Sequence, residues 1–361
     1  MDGPGFKPLR IGPLTASLPV IQGGMGVGIS LSSLAAAVAE EGGIGTIAAV
    51  GIGMSEPDVY TNFVEANVRA LKREIRKARE KTRGLLAVNV MVAMSNYAEM
   101  VAAAVQVKVD LLLSGAGLPL DLPRYLGEGA STRLAPIVSS GRAAALLCKR
   151  WLDRFGTVPD AVVVEGPLAG GHLGFKPEDL SLPRNALEVL VPEVVEAVKP
   201  FEDRAGRTIP VVAAGGIYTG ADILAFERLG AAGVQMATRF VTTFECDASP
   251  AFKQAYLDAR PEDLRIIQSP VGLPGRAIGN AFLDAVEAGE KVPVRCPYHC
   301  ISTCDHTQAP YCIALALVNA QKGNLKSGFA FAGANAYRAQ RILSVRETVE
   351  ALRREYLEAA G

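Results

Sequence analysis

Short apolar segments recur along this sequence between residues 17 and 240, and they constrain its fold more than any other feature. Eight of them are predicted to be strands, at residues 17–22, 43–50, 85–92, 109–115, 134–139, 161–166, 210–216 and 233–240. Because they are apolar almost throughout, both faces of each strand are expected to be covered, which is typical of parallel strands. Helices are predicted between them. The first begins with Ser30 as its cap, the second runs from about Asp58 to Lys81, and a later one from about Asn185 to Val198.

Eight strands with seven or eight intervening helices match a (β/α)8 barrel, with no strand left over. A doubly wound sheet is the alternative, but it would give no purpose to the glycine-rich sequences at the seventh and eighth strands. We therefore predict an α/β fold. A (β/α)8 TIM barrel covers residues 1–282, with a closing helix in 340–361, and a cysteine-rich helical extension covers 283–339.

The charge balance excludes some classes of partner. Lysine and arginine together number 37, as do aspartate and glutamate, so the formal net charge is zero, which gives no attraction to nucleic acid or to an anionic membrane.

No apolar segment approaches the roughly 20 residues of a membrane span, and the first ten residues lack the apolar core of a signal peptide. We expect a cytoplasmic protein with a small-molecule substrate. The sequence leaves open whether it forms a homo-oligomer.

The ends of the predicted strands carry polar or glycine-rich sequences, and in a barrel the carboxyl ends of the strands hold the chemistry. His172 follows the sixth strand across a Gly-Gly pair, and it is a candidate acid or base because a histidine pKa lies near neutral pH. Gly215 and Gly216 precede a helix whose free backbone N–H groups are expected to face a phosphate. With residues 233–240 beside them, they predict a phosphate site like that of barrels that hold FMN or sugar phosphates.

Six sequences, in the same order along the chain, resemble those of the nitronate monooxygenase (2-nitropropane dioxygenase) family and of the related FMN-dependent enoyl-ACP reductases of the second type. They are PVIQGGMGVGIS (19–30), LLAVNVMV (85–92), VVEGPLAGGHLGF (163–175), IPVVAAGGIYTG (209–220), GAAGVQMATRFV (230–241) and GRAIGNAF (275–282). The resemblance implies a barrel that binds FMN and performs flavin chemistry on a small nitro or unsaturated substrate, with NAD(P)H as an expected co-substrate.

The resemblance also implies roles for individual residues. Gly24 and Met25 would line the flavin through their backbones, and Asn89 would hydrogen-bond the edge of the isoalloxazine ring. Glu165 and Gly170 would flank the ring and the ribityl chain. The residues implied at the phosphate are Gly215, Gly216, Gln235, Met236, Ala237 and Thr238. His172 matches the family's active-site histidine, whose implied role is to take or give a proton at the substrate carbon.

The substrate is left open by the same resemblance. Leu168 stands where the family usually has an acid, and Glu165 stands where many nitronate-oxidising members have glutamine. Two activities are compatible with a flavin bound by these residues: oxidation of alkyl nitronates, or NAD(P)H-dependent reduction of an enoyl thioester, a quinone or a related acceptor. An alternative from another class is a barrel that binds a phosphorylated ligand without redox turnover.

Four of the six cysteines lie close together near the end of the chain: Cys296, Cys300, Cys304 and Cys312. In a cytoplasmic protein such a cluster is more typical of metal ligands than of disulfides. The Cys-x3-Cys-x3-Cys-x7-Cys spacing matches neither the Cys-x2-Cys zinc pattern nor a ferredoxin sequence. A [4Fe–4S] cluster is favoured, while zinc with help from His299 or His306, and unligated thiols or a disulfide, stay open. A cluster within electron-transfer range of FMN would favour a reductase with an iron–sulfur relay over an oxygen-using monooxygenase.

Overall fold

The structure, a computed structural model, describes residues 5–290, 296 and 298–361. Residues 1–4 of the predicted barrel, and residues 291–295 and 297 of the predicted extension, lie outside the described residues. The strands are β1 (Leu9–Ile11), β2 (Leu14–Ala16), β3 (Val20–Gln22), β4 (Ile44–Ala48), β5 (Leu85–Met91), β6 (Leu111–Gly115), β7 (Arg133–Val138), β8 (Val162–Glu165), β9 (Gly171–His172), β10 (Val211–Ala214), β11 (Gly233–Met236), β12 (Leu264–Gln268) and β13 (Pro274–Ile278). The α-helices are α1 (Ser32–Glu40), α2 (Phe63–Lys81), α3 (Tyr97–Gln106), α4 (Gly141–Phe155), α5 (Leu187–Ala205), α6 (Gly220–Arg228), α7 (Thr238–Val241), α8 (Pro250–Asp258), α9 (Ala281–Glu287), α10 (Ile313–Gln321) and α11 (Val345–Ala360).

Eight of these strands form a closed barrel in the order β3-β4-β5-β6-β7-β8-β10-β11. All of their pairings are parallel, and β11 closes the barrel on β3 with Val234 opposite Val20. The prediction of a (β/α)8 TIM barrel is confirmed. Because the strands are parallel, all eight carboxyl ends meet at one mouth.

The barrel interior is filled by apolar side chains, and a hairpin covers its amino end. Ile21, Ile44 and Val163 are buried in one cluster together with Leu9 and Ile11, which belong to the antiparallel β1–β2 hairpin. The hairpin was not predicted, because strands of three residues are too short to show a period. With the interior filled and the amino end covered, a ligand is expected at the carboxyl mouth.

Close backbone contacts fix the helices around the barrel. A Cβ on Gly45 of β4 would lie 1.8 Å from the carbonyl oxygen of Ala35 in α1. A Cβ on Gly220, the first residue of α6, would lie 1.9 Å from the carbonyl oxygen of Leu352 in α11. Helix α11 therefore packs directly on a barrel helix, which is the position expected of the predicted closing helix. The division of the chain at residue 282 stays a prediction.

The predicted cap of the first helix is wrong. The cap of α1 is Leu31 and it forms no side-chain cap bond, while the hydroxyl of Ser30 is used elsewhere. Ser30 Oγ accepts a hydrogen bond from the Met25 N–H at 3.1 Å and from Gln22 Nε2 at 3.0 Å. Ser30 therefore fixes the loop after β3 rather than the start of α1.

Other boundaries differ for local reasons. Helix α2 begins at Phe63, because Asp58 accepts turn hydrogen bonds from the N–H groups of residues 61 and 62. The eighth barrel strand ends at Met236, and Thr238–Val241 is helical; apolar residues continue into α7, so periodicity could not show the change. Helix α5 continues to Ala205, where Gly206 at φ +63° ends it. No helix within the described part of the chain is both long and apolar enough to cross a membrane.

A small antiparallel sheet lies outside the barrel, in the order β12-β13-β9. Its central strand β13 pairs with β9, so that Gly275 lies opposite His172 and Arg276 opposite Gly171. Because β9 follows the barrel strand β8, this sheet brings residues 264–278 to the loop that carries His172. These strands, with α8 and α9, were not predicted.

Candidate active site at the barrel mouth

One cavity of about 490 Å³ occupies the carboxyl mouth of the barrel. This volume lies within the range of small-molecule and cofactor pockets, roughly 300–1,000 Å³. Every residue assigned to the flavin or to catalysis from the sequence lines it: Gly24, Met25, Asn89, Glu165, Gly170, His172, Gly215, Gly216, Gln235, Met236, Ala237 and Thr238. The fold therefore brings the whole predicted set to one place, while the role of each residue toward FMN stays a prediction.

At the floor of the cavity, the backbone of the loop after β3 lies close to strand β5. A Cβ on Gly24 would lie 2.5 Å from the Cβ of Asn89, so the loop after β3 meets β5 because Gly24 has no side chain. Gln22 holds this loop: its Oε1 accepts the N–H of Thr46 at 3.0 Å and its Nε2 donates to Ser30 Oγ at 3.0 Å. Because this glycine backbone is fixed and carries no side chain, the face of a planar ring would be able to pack directly against it.

The glycine pair after β10 forms the end predicted to hold the phosphate. Gly215 and Gly216 have φ values of +92° and +86°, a left-handed backbone that favours glycine. At the start of the next helix a capping box uses the N–H groups of Thr219 and Asp222, and Glu355 accepts the N–H of Gly220 at 2.9 Å; the phosphate site at the glycine pair stays a prediction. A phosphate would therefore depend on the backbone of the glycine pair and of residues 237–238.

The donor and acceptor groups of the cavity fit a flavin. Gln235 is buried in β11, and its Oε1 has no hydrogen-bond partner among the described residues. Buried side-chain oxygens normally have a partner, and the N–H of a flavin ring is a donor that would satisfy this one. The unpaired oxygen, the glycine floor and the glycine pair line the same cavity. These residues therefore fit FMN.

His172 is held over the cavity by the small antiparallel sheet. Its Nε2 lies 2.8 Å from Oγ of Ser269 in the turn between β12 and β13. Its ring packs edge-on against Phe331, with ring centroids 5.0 Å apart. Burial lowers the pKa of His172 to about 4, so the imidazole is neutral at neutral pH and is able to accept a proton or share a hydrogen bond.

Glu165 ends β8 and lines the same cavity. Burial raises its pKa to about 7, because no cation or hydrogen-bond donor of the described residues stabilises the carboxylate. Near neutral pH this carboxyl group therefore retains its proton part of the time. A raised carboxyl pKa and a lowered histidine pKa within one cavity form a pattern found at acid–base sites.

Sequence reasoning missed Ser269, Phe331 and the positioning role of Arg276. Arg276 Nε donates to the carbonyl of Ala169 at 3.2 Å, and its Nη2 donates to the carbonyl of Pro167 at 2.7 Å. Arg276 thereby ties the loop before His172 to β13. Arg276 stands in the family-like sequence GRAIGNAF (275–282), but its role, and the contacts of Ser269 and Phe331 with His172, arise only through tertiary contacts.

The remaining wall of the cavity is mainly apolar. Met54, Leu173, Leu273 and Leu317 lie on it. None of the described residues that line the cavity is a lysine or an arginine. An anionic substrate would find no cationic side chain here, whereas a neutral, apolar substrate would lose little hydration on entering.

The four predicted metal ligands surround a second, smaller cavity of about 40 Å³. Its lining includes Cys296, Cys300, Cys304 and Cys312, together with His299 and His306. All four cysteines are free thiols, and burial together with the three neighbouring thiols raises the pKa of Cys300 to about 12. Within the described residues, no group of three or more cysteine, histidine, aspartate or glutamate side chains is placed to hold a metal ion. A metal at these cysteines stays a prediction.

The two cavities share part of their walls. Cys300, Ile301 and Ile313 line both of them. The segment is attached to the barrel mouth, where the Ser302 N–H donates to the carbonyl of Ala93 at 2.8 Å. The cysteine-rich segment therefore forms one side of the candidate active site.

Comparisons with known proteins agree with one another. A family model described as nitronate monooxygenase matches residues 7–355. A probable nitronate monooxygenase of Staphylococcus aureus (strain Newman) is 27% identical over 303 residues, which cover 77% of this chain and 79% of that protein. FabK from Thermotoga maritima superposes with a TM-score of 0.73 and 29% identity, covering 96% of this chain and 94% of that one. A nitroalkane oxidase from Streptomyces ansochromogenes gives a TM-score of 0.73 and 26% identity, covering 96% and 97%.

Proposed function

This chain belongs to the nitronate monooxygenase family and is an FMN-dependent oxidoreductase, and we propose that it reduces a neutral, apolar acceptor with electrons from NAD(P)H. The proposed acceptor is a carbon–carbon double bond conjugated to a thioester carbonyl. This is the substrate class of enoyl-ACP reductase II, to which FabK belongs. In the overall reaction NAD(P)H is oxidised to NAD(P)⁺, and the double bond gains a hydride and a proton.

The observation that carries this proposal is the charge of the cavity wall. An alkyl nitronate is an anion, and bringing an anion into a site without a cationic partner costs several kcal/mol. The described lining residues include no lysine or arginine, and the lowered pKa of His172 keeps the imidazole neutral. A neutral enoyl group does not meet this cost, and the apolar wall suits its acyl chain.

The chain's own residues would hold the acceptor and supply its proton. Bound FMN supplies hydride chemistry. His172 would polarise the thioester carbonyl by a hydrogen bond or transfer the proton, and Ser269 would fix its ring. Glu165 retains its proton part of the time near neutral pH and would serve as the proton source. The apolar wall would exclude water from the reacting carbon.

Anaerobic stopped-flow spectroscopy tests the proposal. NADH or NADPH should bleach the absorbance of the bound FMN, and a short enoyl thioester should then restore it. An alkyl nitronate should leave the flavin oxidised. Bleaching by the nitronate but not by either pyridine nucleotide would overturn the proposal and would identify a nitronate oxidase.

A further inference from the structure

We propose that Cys296, Cys300, Cys304 and Cys312 bind a [4Fe–4S] cluster in the smaller cavity, beside the flavin site. The inference goes beyond the proposed reductase activity, since it concerns a second site and can fail without affecting the first. Binding a preassembled cluster is a ligand exchange: four bonds from iron to the donor's ligands break, four bonds from iron to cysteine sulfur form, and the four thiol protons pass to the departing ligands or to solvent, with no net electron transfer.

The backbone around the first two cysteines supports this proposal. The His299 N–H points at the sulfur of Cys296, with 3.4 Å between nitrogen and sulfur, and hydrogen bonds to sulfur are a feature that tunes iron–sulfur sites. His299 has a φ of +47°, a left-handed conformation that is unfavourable for a non-glycine residue. Such strain persists where the surroundings require it, often at ligand sites. Here it turns the chain so that Cys296 and Cys300 both line one cavity.

An unpaired hydroxyl group supplies independent support for a ligand. Tyr311 lines the smaller cavity and is only 6% exposed. Its hydroxyl group has no hydrogen-bond partner among the described residues, and a buried hydroxyl group without a partner is destabilising. The sulfides and thiolates of a bound cluster are acceptors that this hydroxyl group lacks at present.

The size of the cavity favours a cluster over a single ion. Zinc holds its sulfur ligands at about 2.3 Å, and no group of described side chains is placed to hold a metal ion. The cavity that the four thiols help to line, about 40 Å³, is about three to four times the roughly 10–15 Å³ that one water molecule needs. In a [4Fe–4S] cluster each thiolate binds a different iron atom, so the four sulfurs remain apart.

The position of the cavity places such a cluster next to the flavin. Cys300, Ile301 and Ile313 lie on the walls of both cavities. His299, which also lines the smaller cavity, is exposed to solvent. A cluster bound by these thiols would therefore lie between the flavin cavity and the surface, as the iron–sulfur relay suggested by the sequence requires.

Anaerobic purification followed by iron, sulfide and zinc analysis tests the proposal on the full chain. We expect about four iron atoms and about four sulfides per chain, and an EPR signal after reduction with dithionite. C304S should lose most of the iron while retaining FMN. C148S is the matched control and should retain both, because Cys148 is buried in α4 and lines neither cavity.

Two results would overturn the proposal. One is zinc in place of iron, which should then fall in H306A, whereas a cluster held by four cysteines should be unaffected by that change. The other is protein without iron, both as purified and after incubation with ferrous iron and sulfide. If C304S fails to fold, the metal content of the wild-type chain and of H306A still decides between these outcomes.

Discussion

His172 and Ser269 can be separated by substitution at the reacting end of the cavity. H172A should retain FMN and lower kcat roughly 10²–10⁴-fold, the usual contribution of a general acid or base. S269A removes only the partner at 2.8 Å from Nε2, so it should lower kcat about tenfold and shift the pH profile while leaving KM nearly unchanged. Flavin absorbance and steady-state kinetics over a range of pH measure both effects. Full activity in H172A would make this histidine structural.

Glu165 and His172 have opposite effects on the pH dependence of folding. The pKa of Glu165 rises from 4.5 to about 7 on folding, so its contribution to stability is complete below pH 4.5 and is lost as the pH rises toward 7. The pKa of His172 falls from 6.5 to about 4, so its contribution is present above pH 6.5 and is lost as the pH falls toward 4. Between pH 4.5 and 6.5 the two slopes, each at most about 1.4 kcal/mol per pH unit, should cancel.

Single variants should reveal these slopes. In E165Q the free energy of unfolding should rise with pH between 4.5 and 6.5, because the histidine term remains. In H172Q it should fall over the same range, because the carboxyl term remains. Urea unfolding of the flavin-free protein at several pH values measures both, and slopes equal to that of the wild type would contradict the pKa shifts.

Individual site residues were predictable where they stand at or near the carboxyl ends of apolar strands. Asn89, Glu165 and Gln235 follow from strand position together with the family resemblance. Ser269 and Phe331 could not be found, because a turn and a distant segment reach His172 only after the small sheet has formed.

At the scale of elements, Arg276 joins strand β13 to the histidine loop. Its guanidinium group bonds two successive parts of that loop, the carbonyl groups of Pro167 and Ala169. R276K cannot reproduce this fork, because an ammonium group is a single point donor. We expect kcat to fall about tenfold with FMN content unchanged, as measured by kinetics and flavin absorbance. R265K is the control, since Arg265 bonds exposed carboxylates on α9 and should retain activity.

The barrel strands were predictable because each is buried on both faces and reads as a continuous apolar segment. The boundaries of the strands and helices were less predictable. Ser30 is a preferred helix cap by type, yet its hydroxyl group is used by Gln22 and Met25. The two short hairpins and α8 lacked a period long enough to distinguish strand from helix.

At the scale of the whole molecule, Glu355 connects the C-terminal helix to the end of the cavity that is predicted to hold the phosphate. It pairs with Arg239 at 3.1 Å and accepts the N–H of Gly220 at 2.9 Å. E355Q leaves the largely buried guanidinium group without its carboxylate, and we expect it to lower the free energy of unfolding by roughly 1–3 kcal/mol and to weaken FMN retention. Thermal unfolding and flavin titration measure these effects. E358Q is the control, because Glu358 pairs with Arg354 on the exposed surface and should change stability by less than about 0.5 kcal/mol.

The histidine belongs to a sheet that is separate from the barrel. The floor of the flavin cavity is fixed by β3, β4 and β5, whereas His172 is fixed by β12, β13 and the turn that carries Ser269. Changes in residues 269–273 can therefore move the imidazole without disturbing the floor. Because the two parts are separate, substitutions that reposition the imidazole, and so change the acceptor that is used, can accumulate one at a time without loss of cofactor binding. The same five positions are where directed evolution toward a different acceptor should begin.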